Sequence, residues 1–143
     1  MKTLSVISTT YRMEKGRNLD ACLESVFSQT DLPERVVLVA DGKLTEELYS
    51  VVEKYKTQKG ESFLFFETEE NRGNWYASNK AIELCDTDII VKLDSDDILM
   101  PSYIEKMRAV FEDGAADICG VYIDEFDDET GESLSIKKTP SEH

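Results

Sequence analysis

Histidine is nearly absent. The 143-residue chain has one, and it is the last residue, His143. This excludes a serine or cysteine nucleophile paired with an imidazole base. No GxSxG stretch occurs either, which argues against an esterase-like nucleophile elbow. Cysteine is scarce: Cys22, Cys85 and Cys119 stand far apart, with no CxxC pair. A thiolate–imidazole zinc site is therefore not expected. Isolated thiols within apolar patterns suit a reducing compartment, and the expected location is cytoplasmic. Positive charge is also short, with 16 Lys and Arg against 30 Asp and Glu, a formal net charge of −14. Nucleic acid and anionic membrane surfaces are poor partners for such a chain, because both call for a basic face. An anionic small ligand stays compatible if a metal ion supplies the positive charge. No apolar run approaches the roughly 20 residues of a membrane span. The opening MKTLSVISTTY is too short and too polar for a signal peptide, so no transmembrane segment is expected. A P-loop and a GxGxxG turn after the first strand are both missing, which speaks against a nicotinamide site.

What the chain does have is alternation. Residues 3–8, 35–40, 62–67 and 88–93 are short apolar, β-branched or aromatic runs that read as strands. Between them, Leu19, Cys22, Leu23, Val26 and Phe27 form a helical stripe in 17–29. Residues 44–56 form another with Leu44, Leu48, Val51, Val52 and Tyr55, and Ala77, Ala81, Leu84 and Cys85 form a third. Pro101 fits the first position of a fourth helix, whose stripe is Ile104, Met107, Val110 and Phe111. Residues 117–123 read as a fifth strand. A turn at 129–132 leads into a hairpin partner at 133–136, and the last residues look disordered. The length fits one domain. Strand–helix alternation predicts a mostly parallel central sheet in a three-layer α/β/α sandwich.

In such sheets ligands bind beyond the carboxyl ends of the strands. The polar residues collect at those ends: Thr9, Thr10 and Tyr11 after the first strand, Asp41 and Gly42 after the second, Asn71 and Gly73 after the third. The fourth ends in Asp94, Ser95, Asp96 and Asp97. Carboxylates crowded at a strand mouth repel and lose hydration, and a hard divalent cation relieves both penalties. A solvated Asp-rich turn is the plainer reading of the same residues; the convergence of four loops favours the metal. Asp41 is either an ordinary turn residue or an acceptor for the N–H of a planar base. Tyr11 is a core aromatic or stacks on that base. Arg72 belongs to a surface loop or meets phosphate as a bidentate donor. Asn79, disfavoured inside a helix, turns its amide inward near the ligand or out to solvent. Lys92, inside the fourth strand, pairs with a neighbouring acid or snorkels. The acids of 124–132 read as a solvated loop.

Five stretches in order carry a resemblance: SVISTTYR at 5–12, LDACLESVFSQT at 19–30, VVLVADG at 36–42, NRGNWYASNKAIE at 71–83 and DIIVKLDSDDILMP at 88–101. Together the chain resembles the nucleotide-binding half of family 2 glycosyltransferases of the GT-A fold. The resemblance implies transfer of a sugar, with inversion, from a nucleoside-diphosphate sugar to a hydroxyl of a glycan or lipid-linked glycan. A UDP-sugar donor and a role in cell-surface polysaccharide or glycan synthesis are implied with it. Residues 88–101 would then hold the DxD motif. Asp96 would be the main ligand to Mn²⁺ or Mg²⁺, and Asp94 would lie by the ribose and the metal-bound diphosphate. Thr9 and Tyr11 would contact the nucleoside, and Asp41 would receive the base N–H.

Two departures follow. Ala40 stands where the family has a first acid, and Lys43 where it has a serine. The chain is also shorter than the family's members. Residues 1–138 would be a partial nucleotide-sugar-binding domain lacking the acceptor-binding half, with 139–143 a disordered tail. No catalytic base is assigned. Such a fragment is expected to be weakly active or inactive alone, and to self-associate through exposed apolar sheet surface. A receiver-type signalling domain would need an acid pair after the first strand, where Thr9, Thr10 and Tyr11 stand. A nucleotidyltransferase would open with a Gly-rich loop and Lys. The alternative that stays open is a non-catalytic nucleotide-binding or interaction module of the same fold.

Overall fold

The computed structural model describes residues 1–139. The chain runs β1 (Leu4–Thr10), α1 (Gly16–Phe27), β2 (Arg35–Ala40), α2 (Glu46–Lys59), β3 (Phe63–Glu67), α3 (Asn74–Glu83), β4 (Ile89–Lys92), α4 (Tyr103–Glu112), β5 (Ile123–Phe126) and β6 (Ser133–Lys137). The first four strands make one parallel sheet in the order β3-β2-β1-β4. β5 and β6 form a separate antiparallel hairpin.

The strand order fixes where the helices lie. From β1 to β3 the chain winds outward in one direction, and then returns across the sheet to place β4 on the far side of β1. Right-handed crossovers in opposite directions put their helices on opposite faces. Accordingly α1, α2 and α4 pack on one face, around Leu4, Val6, Val36, Leu38, Ile89 and Val91. α3 alone covers the other, setting Ala77 and Ala81 against Ile7, Val37 and Val39. Its small residues, spaced i and i+4, let it lie close to the sheet. Val36 through Ala40 of β2 are all buried, as a strand covered on both faces requires. β4, at an edge, buries Ile89 and Val91 but leaves Ile90 and Lys92 exposed.

Local chemistry sets the boundaries. The Thr45 hydroxyl accepts the Leu48 N–H at 3.3 Å and starts α2, with Glu46 and Glu47 favourably placed in its first turn. Gly60, with φ +55°, ends that helix. α4 begins at Tyr103 rather than Pro101. Its first-turn donor is met from a distance: buried Gln29 accepts the Ile104 N–H at 3.0 Å and donates to Met100 O at 2.7 Å. Pro101 and Ser102 therefore form a turn before the helix.

The expected fifth strand over 117–123 is corrected. Only Ile123 of that run is in a strand. Cys119 and Val121 satisfy their burial by packing against the α4-side core as irregular chain, which needs no ladder partner. The strand runs from Ile123 to Phe126 and pairs with β6 across the turn at 127–131, as the turn residues lead one to expect. The tail expected at 139–143 lies outside the described residues apart from Thr139.

Arg108 on α4 holds the opposite end of the sheet from these loops. It is buried, and its guanidinium donates to Asp31 Oδ2 (2.7 Å), Lys2 O (2.7 Å), Leu32 O (2.9 Å) and Glu34 Oε2 (3.0 Å). Glu34 also accepts the Leu4 N–H that opens β1, at 2.7 Å. Burial pushes the Glu34 carboxyl up, but the Leu4 N–H and the Arg108 guanidinium outweigh it and hold it below its ordinary range. A fully buried pair broken on one side costs about 3–5 kcal/mol. Here both carboxylates are about one-third exposed, so Arg108→Leu is expected to cost about 2 kcal/mol at pH 7 by denaturant unfolding. A depressed carboxylate contributes stability above its unfolded pKa and loses it as pH falls. The gap between wild type and variant should therefore shrink on acidification. A loss below about 0.5 kcal/mol would contradict this role.

Candidate donor-binding site

The chain departs from β1 toward β2 on one side and places β4 on the other, so the carboxyl ends of β1 and β4 diverge around a crevice. A cavity of about 470 Å³ opens there. Its wall comes from the end of β1 (Thr9, Thr10, Tyr11), the end of β2 (Asp41), the β3–α3 loop (Asn71, Gly73) and the end of β4 (Asp94, Ser95, Asp96). The four strand ends thus meet at one site.

The β2 and β3 ends are bolted together. Asp41 is buried, and each of its carboxylate oxygens accepts one backbone N–H at 2.8 Å, Oδ1 from Arg72 and Oδ2 from Gly73. One lone pair per oxygen is left. The Gly42 N–H donates to the Thr68 hydroxyl at 2.8 Å, and that hydroxyl lies 3.0 Å from Glu70 O. Gly42 has φ +82°, and a Cβ there would stand 2.9 Å from the Asn71 nitrogen. Glycine is required on both counts. β1 is tied to α3 by the Thr9 hydroxyl, which donates to Asn74 Oδ1 at 2.5 Å. Thr10 also lines the cavity, but its Oγ1 is buried and lacks a hydrogen-bond partner among the described residues.

The β4 end carries the acids. Asp94, Asp96 and Asp97 each offer a carboxylate oxygen, all within 4.8 Å of one another. Lys92 Nζ pairs with Asp94 at 2.8 Å. Burial pushes the Asp97 carboxyl up, and the neighbouring Asp96 and Asp94 charges push it further. Three hard oxygen donors at this spacing fit a divalent cation of the Mg²⁺ or Mn²⁺ kind. The loop is held by the β1–α1 turn and by α1: the Ser95 hydroxyl donates to Glu14 Oε2 in the turn at 2.7 Å, and the Leu99 N–H to Ser25 Oγ on α1 at 3.0 Å.

Of the residues singled out from sequence, Thr9, Tyr11, Asp41, Asp94 and Asp96 line the cavity. Arg72 and Asn79 do not. Arg72 is exposed, its guanidinium stacked over the Tyr76 ring with 4.1 Å to the centroid, and only its backbone N–H serves the site. Asn79 is exposed because α3 buries Ala77, Ser78 and Ala81, which leaves Asn79 facing away from the sheet. Sequence reasoning missed Glu14, Asn74 and Thr68. Glu14 and Asn74 fall in no periodic pattern. Thr68, directly after β3, was legible as a strand-end hydroxyl.

The chain belongs to glycosyl transferase family 2, whose pattern matches residues 5–142. It is 30% identical over 138 residues to the UDP-Gal:alpha-D-GlcNAc-diphosphoundecaprenol beta-1,3-galactosyltransferase of Escherichia coli, covering 96% of this chain and 50% of that protein. Its fold matches S. aureus TarS 1-349 in complex with UDP-GlcNAc, with a TM-score of 0.65 and 26% identity, over 78% of this chain and 31% of the other. It also matches the mannosyltransferase PcManGT from Pyrobaculum calidifontis in complex with GDP-Man and Mn²⁺, with a TM-score of 0.63 and 25% identity, over 76% and 31%. The chain spans about half the length of the curated relatives it matches. Among the described residues no helix is long and apolar enough to cross a membrane.

The bolted loops give a test of their own. Thr68→Val keeps the side-chain shape but strands the buried Gly42 N–H, at an expected cost of about 1–3 kcal/mol. Hydrogen exchange at the Gly42, Arg72 and Gly73 amides should speed up together. Unchanged protection at all three would show that the two loops are not held as one unit.

Proposed function

We propose that the chain is the donor-binding part of a metal-dependent glycosyltransferase that takes a sugar from a nucleoside-diphosphate sugar, a UDP-sugar first, to a hydroxyl of a glycan or lipid-linked glycan. The observation that carries this reading is the meeting of Asp94 and Asp96, two members of the acid cluster, with the β1 and β2 ends in one cavity. The names of the similar proteins support the donor class: UDP-Gal in one curated relative, and UDP-GlcNAc and GDP-Man in two solved structures.

Asp96 and Asp94 are the residues that would hold Mn²⁺ or Mg²⁺. When bound, the ion supplies a Lewis acid that stabilises charge on the departing diphosphate. The other roles fall to the chain's own groups. Asp41 offers its remaining lone pairs to a base N–H, held in place by the Arg72 and Gly73 amides. Tyr11, about half exposed at the rim, supplies a ring face for the base. The Thr9 hydroxyl, fixed by Asn74, offers itself to the nucleoside at the cavity wall. Arg72 and Asn79 drop out of the proposed donor contacts. No residue is assigned to activate the acceptor hydroxyl.

Charge sharpens the reading. Glu14, Asp41, Asp94 and Asp96 line the cavity, and no Lys or Arg does. A diphosphate entering this wall meets repulsion that only a cation can offset. Calorimetry should therefore find UDP binding with Mn²⁺ and its loss when the metal is chelated. Asp96→Ala should weaken Mn²⁺-supported binding by about 100-fold, on the order of 3 kcal/mol. Equal UDP affinity with and without metal, or in wild type and variant, would refute the proposal.

A further inference from the structure

Glu14 is used by no step above, yet it sits between two parts of the site. Its backbone N–H donates to Tyr11 O at 3.0 Å, closing a turn directly after β1. Its Oε1 accepts from the Lys15 N–H at 2.9 Å and from the Asn18 amide at 3.2 Å. Both partners belong to the start of α1, so that oxygen is anchored. The other oxygen, Oε2, accepts the Ser95 hydroxyl at 2.7 Å across 81 residues of sequence.

Ser95 is the residue between Asp94 and Asp96, and it is 6% exposed. Its neighbours Asp94 and Asp96 are exposed, while its own hydroxyl points back to Glu14, just ahead of α1. Asp94 and Asp96 flank Ser95 on the same loop, so this bond tethers the backbone that carries both acids. Within the loop, the Asp97 N–H donates to Asp94 O at 3.0 Å and Lys92 Nζ to Asp94 Oδ1 at 2.8 Å, but neither ties the loop to another element at Ser95. The Leu99 N–H on Ser25 and the Met100 carbonyl on Gln29 lie further along the chain. Among the described residues, α1 itself grips the loop at the acids only through the weak contact of the Cys22 thiol with Asp94 O at 3.5 Å. Placing Glu14 here also has a cost, since a fourth carboxylate beside three others adds repulsion. A purely local role in the 11–14 turn would not require its second oxygen to face the acids.

We propose that Glu14 is a positioning residue for the divalent-ion loop: by holding Ser95, it fixes how Asp94 and Asp96 project into the cavity, and so sets ion affinity without ligating the ion. The inference rests on the donor-site reading above. Groups that orient ligands from behind typically change metal affinity by roughly 10–100-fold when removed.

The test is Mn²⁺ binding at saturating UDP, read by calorimetry and by water-proton relaxation, with thermal midpoints recorded in parallel. Wild type, Glu14→Ala, Ser95→Ala, the double variant and Glu14→Gln are compared. Glu14→Ala and Ser95→Ala should each weaken Mn²⁺ roughly 10–100-fold, and the double variant no more than the stronger single, because both remove one bond. Glu14→Gln should stay near wild type, since its amide oxygen keeps the Lys15 and Asn18 donors while its NH2 donates to the Ser95 hydroxyl oxygen, so the contact survives with its direction reversed. Ser95→Ala leaves the bonds of Glu14 to Lys15 and Asn18 in place, so a structural role in the turn alone would leave its Mn²⁺ affinity unmoved. Wild-type affinity in either alanine variant, or additive losses in the double variant, would overturn the inference. If Glu14→Ala fails to fold, Ser95→Ala and Glu14→Gln decide the question. A wild-type protein that binds no Mn²⁺ would instead overturn the donor-site reading itself.

Discussion

The reversal of winding between β3 and β4 is the constraint from which the rest of this structure follows. Up to β3 the sheet grows in one direction, and right-handed crossovers place α1 and α2 on a single face. To add β4 beside β1, the chain must cross back, and the same handedness sends α3 to the opposite face. The carboxyl ends of β1 and β4 then part around a crevice that no helix fills. Thr9, Asp41, Asn71, Asp94 and Asp96, delivered at the ends of the four strands, line that crevice. The opposite end of the sheet, held by Arg108, Asp31 and Glu34, carries the stabilising ion pairs instead.

The crevice is rigid on one side and electrostatically loaded on the other. Asp41 uses a buried charge to tie two loops by their backbone, an arrangement repaid by two charge-assisted hydrogen bonds. Glycine at position 42 is needed so that the second loop can approach. Across the cavity, Asp94, Asp96 and Asp97 stand close together and mostly in the open, with Lys92 offsetting a part of their charge. The wall therefore favours a cation first and an anionic ligand second. That order agrees with the overall acidity of the chain, which offers little else to hold a phosphate.

Much of the fold was legible because two periodicities are clean. The buried run in β2 and the stripe Leu19, Cys22, Leu23, Val26 in α1 admit one reading each. The run 117–123 misled because apolar content alone does not make a strand; a strand also needs an edge to pair with, and Cys119 and Val121 found burial without one. In the site, Asp41, Asp94 and Asp96 were legible from their place just after strands. Arg72 and Asn79 were left open between surface and ligand-facing positions, and both lie at the surface, since a loop residue's direction and a helix's solvent face depend on what packs beneath them. Arg72 found an aromatic ring, and α3 turned Ala77 and Ala81 to the sheet. Glu14 and Ser95 became a pair only once α1 lay against the β4 loop, a contact that no local pattern announces.

The most direct measurement is a crystal structure of this chain with UDP and Mn²⁺, the metal located by its anomalous scattering. The account predicts an ion between the Asp96 carboxylate and the two phosphates, at the mouth of the crevice between β1 and β4. An Asp96 side chain turned to solvent, with the diphosphate bound elsewhere or without a metal, would contradict it.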